Sequence, residues 1–196
     1  MKHDPKVIVL AGPNGAGKST VAPRVLTGAY GVTEYVNADT IARGLSGFDP
    51  DEAAFKAGRV MLDWMNELSA ARTDFAFETT LAARSFAPWL NDLKAGGYRV
   101  HLLFFWLPSA EMAIRRVAAR VKAGGHGIPE ETIRRRYERG LKNLFELYLP
   151  LTDGWRVYDN SMFLRPVIIA AGFGGSVDRV FDEDVWRQVK GVRDGV

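Results

Sequence analysis

The chain has 196 residues, 47% of them apolar, a formal charge of +3 and no cysteine. Those values allow one substantial core, leave two full domains cramped, and exclude a disulfide framework, a thiol nucleophile and cysteine-ligated zinc. No run reaches the roughly 18 apolar residues of a membrane span, and Met1-Lys2-His3-Asp4-Pro5 leads to a strand without a signal-peptide core, so a cytoplasmic protein with no membrane partner is expected.

Lys6 to Ala11 is an apolar run of buried-strand length, and Gly12 to Ser19 reads G-P-N-G-A-G-K-S, the pattern G-x-x-x-x-G-K-[ST] of a phosphate-cradling P-loop. Helical sequence follows, which completes the required order of strand, loop and helix. Gly12, Gly15 and Gly17 let the backbone curl so that N–H groups point at phosphate oxygens, while the helix offers its positive end to the same anion. Lys18 is expected to reach the β and γ phosphates, and Ser19 to join the shell of a Mg²⁺ ion. Pro13, Asn14, Ala16 and Thr20 complete the expected contacts of a bound ATP. Pro23 removes the N–H that would bond to the Ser19 carbonyl, so a kink is expected early in this helix.

Tyr35 to Asn37 reads as a short second strand ending in Asn37-Ala38-Asp39-Thr40, and Asp74 to Thr79 as a third. Ligands of open parallel sheets bind beyond the carboxyl ends of strands, which singles out the polar residues there. Phosphoryl transfer to a hydroxyl needs a carboxylate to orient the hydroxyl and take its proton, and Asp39 is the first candidate, with Thr40 beside it at the acceptor. Its plainer role is an N-cap for a helix starting at Thr40. Glu78 is placed to hold the Mg²⁺ shell through water or to bind the acceptor, with Thr80 as a nearby hydroxyl; a buried capping role is the alternative. Between these strands, Asp49, Pro50 and Glu52 open a helix whose Ala54, Ala57, Met61, Trp64, Met65 and Leu68 form an apolar stripe. Leu45-Ser46-Gly47-Phe48 only half resembles the signature of transporter ATPases, and no strand ends in the Asp-Glu pair of motor ATPases.

Phe86, Trp89, Leu90 and Leu93 mark a helix ending at Gly96-Gly97, and Tyr98 to Leu107 is the longest apolar run, expected as a central strand buried on both faces. Two basic helices come next. On Ser109 to Lys122, Ile114, Val117, Ala118 and Val121 are expected to share one face, with Arg116 and Arg120 on the opposite side. On the helix opened by Pro129, Ile133, Tyr137, Leu141, Leu144 and Tyr148 form the stripe, and Arg136 flanks it. The hinge between them, Ala123 to Pro129, carries His126, a candidate acceptor contact. A glycine-hinged segment that brings guanidinium groups to a triphosphate neutralises charge on the equatorial oxygens and excludes water; a solvated basic face is the plainer reading. Trp155 to Tyr158 and Val167 to Phe173 complete the strands, with Val177 to Phe181 at an edge. The pattern implies an α/β protein with the P-loop NTPase fold: a three-layer sandwich with a mostly parallel sheet, one domain over residues 1–196, and an arginine-bearing lid at about 109–139.

G-P-N-G-A-G-K-S-T, V-N-A-D-T, F-E-T-T, the segment from Arg116 through G-G-H-G-I-P to R-R-Y, and V-Y-D-N-S together resemble the zeta-toxin family of P-loop kinases over about residues 6 to 161. The resemblance implies ATP-dependent phosphorylation of the 3′-hydroxyl of UDP-N-acetylglucosamine, and a small helical antitoxin as inhibitor. By motif position Asp39 is the base, Glu78 an acceptor-site residue, Lys18 and Ser19 the ATP and Mg²⁺ ligands, and Arg120 and Arg136 the charge stabilisers. Asn160, after a late strand, lies where related kinases place a loop against the adenine. The glycine-rich hinge with His126 departs from the best-known toxins, which leaves other acceptors open: a nucleoside, a nucleotide or another small hydroxyl compound. A nucleic-acid-binding ATPase is a third reading, disfavoured because no aromatic residues interleave with the arginines for base stacking.

Overall fold

Lys6–Ala11 forms strand β1, and Val7 to Ala11 are completely buried in the computed structural model, which describes residues 4–45, 50–125, 127–162 and 165–194. The chain then alternates strand and helix: α1 (Lys18–Val25), β2 (Glu34–Val36), α2 (Ala38–Leu45), α3 (Pro50–Ala70), β3 (Phe75–Thr79), α4 (Phe86–Ala95) and β4 (Arg99–Trp106). Next come α5 (Ala110–Lys122), α6 (Glu130–Asn143), a single turn α7 (Leu149–Leu151), β5 (Gly154–Asp159), β6 (Val167–Phe173), β7 (Ser176–Val180) and α8 (Glu183–Asp194). Among the described residues the sheet order is β2-β3-β1-β4-β5-β6-β7, with the first five parallel and the last two joined antiparallel.

Helices cover both faces, as apolar runs without alternation demand of central parallel strands. On one face Trp89 of α4 packs on Phe77 with ring centroids 5.8 Å apart, and Trp186 of α8 stacks on Trp155 at 5.9 Å. On the other face Tyr30, beyond α1, leans on His101 at 6.1 Å. The expected three-layer α/β sandwich is therefore present, and its strands lie within a residue or two of their sequence positions.

Several local expectations change. Pro23 lies inside α1 without ending it; the disturbance appears further on as a π-helical turn over Leu26–Tyr30, whose first N–H is shared by the Ala22 and Pro23 carbonyls. Trp64 is 37% exposed and leaves the expected stripe of α3, which among the described residues consists of Ala53, Ala57, Met61 and Met65 with Leu68 partly buried; Asp49 and the side chains of Glu52 and Ala54 lie outside the described residues. On α5 the buried residues are Ala113 and Val117, while Ala118 and Val121 are exposed. The face is thus rotated from the expected one, and it runs alongside Arg116 and Arg120 instead of opposite them. α6 keeps its expected stripe and continues through a π-helical turn over Leu144–Tyr148.

His101 is a pH-sensitive point of this core. Burial pushes its imidazole below the ordinary histidine value, with Asp153 opposing and Arg156, Lys6 and Arg99 reinforcing. The unfolded chain then takes up this proton more readily than the folded one, so the stability involved is complete above about pH 6.5 and declines as pH falls below it. The melting temperature is expected to fall less between pH 7 and pH 5 in His101→Gln than in the unsubstituted protein, measured by scanning calorimetry.

Candidate active site

The order β2-β3-β1 determines what surrounds the glycine-rich loop. β3 lies directly against β1 with Leu10 opposite Glu78 and Ala11 opposite Thr79, so Glu78 leaves the sheet beside the start of the loop. The loop itself has Gly12, Gly15 and Gly17 at φ of 139°, 76° and 78°, values that side-chain-bearing residues rarely adopt. It is also wedged between neighbours. A Cβ on Gly12 would stand 2.3 Å from the Phe105 carbonyl oxygen of β4, and one on Gly15 would stand 2.8 Å from the Ala113 carbonyl of α5.

Lys18 opens α1 and is 4% exposed, with Nζ donating to the Gly12 and Pro13 carbonyls at 2.8 and 3.0 Å and standing 3.5 Å from Glu78 Oε1. The other oxygen of Glu78 accepts from Ser19 Oγ at 2.7 Å, Tyr35 Oη at 2.5 Å and Asn37 Nδ2 at 2.8 Å. Burial, reinforced by the Glu78 carboxylate, pushes the Tyr35 hydroxyl well above the ordinary tyrosine value, so it stays protonated and donates. One carboxylate thus gathers the loop lysine, the loop serine and two side chains of the second strand region. These groups fit ATP and Mg²⁺. The curled backbone offers a phosphate cradle, which a Cβ at Gly12 or Gly15 would obstruct, and Ser19 with Glu78 supplies the oxygen ligands that Mg²⁺ prefers.

Asp39 falls in the first turn of α2 and points outward, its side chain 61% exposed, with a carboxylate oxygen 4.0 Å from Nη1 of Arg120. The capping role weighed for it belongs to Asn37, whose Oδ1 accepts from the Thr40 N–H at 3.1 Å, because the helix starts two residues earlier than expected. That leaves the Asp39 carboxylate outside the helix cap. Thr40 is exposed beside it and accepts from Arg43 Nη2 at 3.2 Å. Thr80 follows β3 on a turn of its own, and Thr20 is exposed on α1.

The arginines of α5 and α6 have separate fates. Arg134 is tied to Glu111 across α5 and α6, and Arg116 Nη2 donates to the Ser161 carbonyl at 2.6 Å, while Arg136 is half-buried on the flank of the Ile133–Tyr137 stripe. Only Arg120 approaches Asp39 among the described pairs. His126 lies outside the described residues. Asn160 is fully buried: its Nδ2 donates to the Ala16 carbonyl at 2.6 Å and its N–H to the Trp106 carbonyl at 3.0 Å. From the end of β5 it braces the glycine-rich loop. Asp159 holds the residue two further on, accepting from the Ser161 N–H at 2.7 Å.

Tyr35 and Asn37 are the site residues that sequence reasoning missed. Asn37 carried a signal, since it is the first polar residue past a strand, the same argument that singled out Asp39. Tyr35 carried none, because an aromatic residue inside a short strand reads as core.

The model of a family described as an AAA domain matches residues 7–144 of this chain. An uncharacterized protein of Haemophilus influenzae is 31% identical over 132 residues, which is 67% of this chain and 92% of that protein. Among solved structures, the complex of AvrRxo1-ORF1 and -ORF2 with ATP is similar with a TM-score of 0.75 at 15% identity, over 95% of this chain. This chain spans 63% of the length of that one. A chain of the PezAT toxin-antitoxin system of Streptococcus pneumoniae is similar with a TM-score of 0.63 at 17% identity, covering 98% of this chain and 86% of that one. Likeness at these identities establishes a shared fold, the mostly parallel α/β sandwich built on a P-loop.

Proposed function

The chain belongs to the AAA domain family, and on that premise we propose that it is a kinase that transfers the γ-phosphoryl group of ATP to a hydroxyl of a small molecule, in the manner of the zeta toxins. The observation that carries this reading is the gathering, at the carboxyl ends of neighbouring parallel strands, of a phosphate cradle after β1, a carboxylate of β3 bound to its serine and lysine, and, after β2, a second carboxylate, exposed and 4.0 Å from a lid arginine. Each part has a task. The loop N–H groups and Lys18 hold the triphosphate; Ser19 and Glu78 would hold Mg²⁺, which draws charge from the phosphate oxygens when bound. Asp39 orients the acceptor hydroxyl and takes its proton as the new P–O bond forms and the bond to the β-phosphate oxygen breaks, releasing ADP. Arg120 and Arg136, on a lid at about residues 109–139 of a single domain, offset the charge on the phosphoryl oxygens and keep water from competing.

The acceptor we favour is a nucleotide sugar, with the 3′-hydroxyl of UDP-N-acetylglucosamine first, because the motifs V-N-A-D-T and F-E-T-T are among those that carry the resemblance to the zeta toxins. A small antitoxin protein is the matching partner, a role supported by the toxin-antitoxin setting of the similar pneumococcal protein. The test incubates the protein with γ-labelled ATP, Mg²⁺ and a panel of nucleotide sugars and nucleosides, and identifies the product by mass. Label is expected in UDP-N-acetylglucosamine and reduced about 10²- to 10⁴-fold in Asp39→Asn, the range for a lost general base. Label in a nucleoside instead would move the acceptor and keep the kinase; label in nothing would remove the kinase.

A further inference from the structure

We propose that Asn143, backed by Gly140, is a positioning residue that sets the loop after β3, Thr80 to Ala83, as one wall of the acceptor site. The inference rests on the kinase reading above. The loop begins two residues after Glu78 and holds an unusual conformation: Leu81 is completely buried and has a φ of 59°, in the left-handed region that a residue with a side chain avoids. Such a residue persists only where its surroundings over-determine it.

The surroundings come from α6 and the π-helical turn behind it. Asn143 Nδ2 donates to the Leu81 carbonyl at 2.7 Å and to the Ala82 carbonyl at 3.3 Å, and Tyr148 Oη donates to the Ala83 carbonyl at 2.5 Å. Gly140 admits the loop, since a Cβ there would stand 2.4 Å from the Thr80 carbonyl oxygen. From inside the loop, Thr79 Oγ1 accepts the Leu81 N–H at 3.0 Å. Asn143 is 5% exposed on a helix whose neighbours Leu141 and Leu144 are buried, a position that packing alone would fill with an apolar residue. A buried amide is costly unless its donors are used, and here they are spent on two loop carbonyls. Arg136 stands one helical turn before Gly140 on the same helix. The helix that carries a lid arginine therefore also grips the acceptor-side loop.

The test compares Asn143→Ala, Asn143→Gln and Tyr148→Phe with the unsubstituted protein, using the panel compound that the latter labels, UDP-N-acetylglucosamine first. Asn143→Ala is expected to lower kcat/KM for the acceptor about 10- to 100-fold, the effect of stranding buried carbonyls at a binding wall. Mg-ATP affinity by calorimetry should change less than about 2-fold, because the phosphate loop is not touched. Amide exchange of residues 79–84 should quicken, Asn143→Gln should recover part of the loss, and Tyr148→Phe should shift the same quantities less. Unchanged acceptor kinetics, or a parallel fall in ATP affinity that marks general loosening, overturns the positioning role while the kinase stands. If Asn143→Ala does not fold, Tyr148→Phe decides between the same two results. A native protein that labels no compound removes the kinase reading and this inference with it.

Discussion

Replacing Lys18 with alanine is expected to reduce phosphoryl transfer at least about 10³-fold, the scale on which positioned charges at a phosphoryl group act. The ammonium is 4% exposed and is held by the Gly12 and Pro13 carbonyls and by Glu78. Its hold on the loop carbonyls is what a triphosphate would replace, since phosphate oxygens make stronger, charge-assisted partners. Alanine removes the donor and also leaves Glu78 beside the loop without its nearest cation. Lys18→Arg separates charge from shape. The guanidinium keeps the charge but is larger and planar, and a site that encloses the ammonium has no room for it. It should therefore recover little activity. The measurement is labelled product per enzyme at saturating Mg-ATP, paired with calorimetric affinity. Activity of Lys18→Ala within about tenfold of the native protein would sink the phosphate-cradle reading, because no transition-state charge would then depend on this residue.

Gly12→Ala should be strongly destabilising for a change of one methyl group. The added Cβ would stand 2.3 Å from the Phe105 carbonyl oxygen, against backbone that cannot swing aside, and the φ of 139° is one that alanine does not tolerate. Either strand β4 or the loop must shift, and a cost of about 2–4 kcal/mol in stability is expected from the clash and the strained backbone together. Nucleotide affinity should fall with it, because the displaced N–H groups are those that face the phosphates. Gly28→Ala supplies the contrast: nothing lies within 4 Å of its Cβ, and its effect on melting should stay within about 0.5 kcal/mol. Denaturant unfolding of both variants, with and without Mg-ATP, gives the comparison. Equal stabilities for the two would show that the loop is not braced on β4.

Much of the fold was legible because its signals are local. The apolar runs of β1 and β4 are buried on both faces, and their residues announce that without reference to any partner. The glycine spacing of the loop likewise encodes its own backbone, since glycine adopts the three φ values found there far more readily than any other residue. Helical stripes were read well where the helix packs along its whole length, as with Ile133, Tyr137 and Leu141 of α6. They were read less well on α5, where the buried face meets a loop. There Ala113, a small residue with weak hydrophobic signal, lies against Gly15, and the larger Val121 is left in solvent.

The candidate site divides in the same way. Lys18, Ser19 and Glu78 were named from the chain and do meet, but the fastening of Glu78 by Tyr35 and Asn37 depends on β2 lying beside β3. Asn160 was named for its position, yet its partner is the Ala16 carbonyl, 144 residues away along the chain. The grip of Asn143 on the Leu81 loop spans 62 residues and left no mark in periodicity, because a lone asparagine on a helix reads as a tolerated polar residue.

By itself, then, the sequence determined the strand and helix content and the glycine-rich loop between β1 and α1, because backbone sterics and hydrophobic period act within a dozen residues. Only the tertiary structure decided which carboxylate faces the loop, which amide caps α2, and which helix grips the turn after β3. Those outcomes follow from the insertion of β3 between β1 and β2 and from the docking of α6 on the turn after β3. Both are long-range pairings, whose free energy comes from burying surfaces that no local stretch of the chain contains.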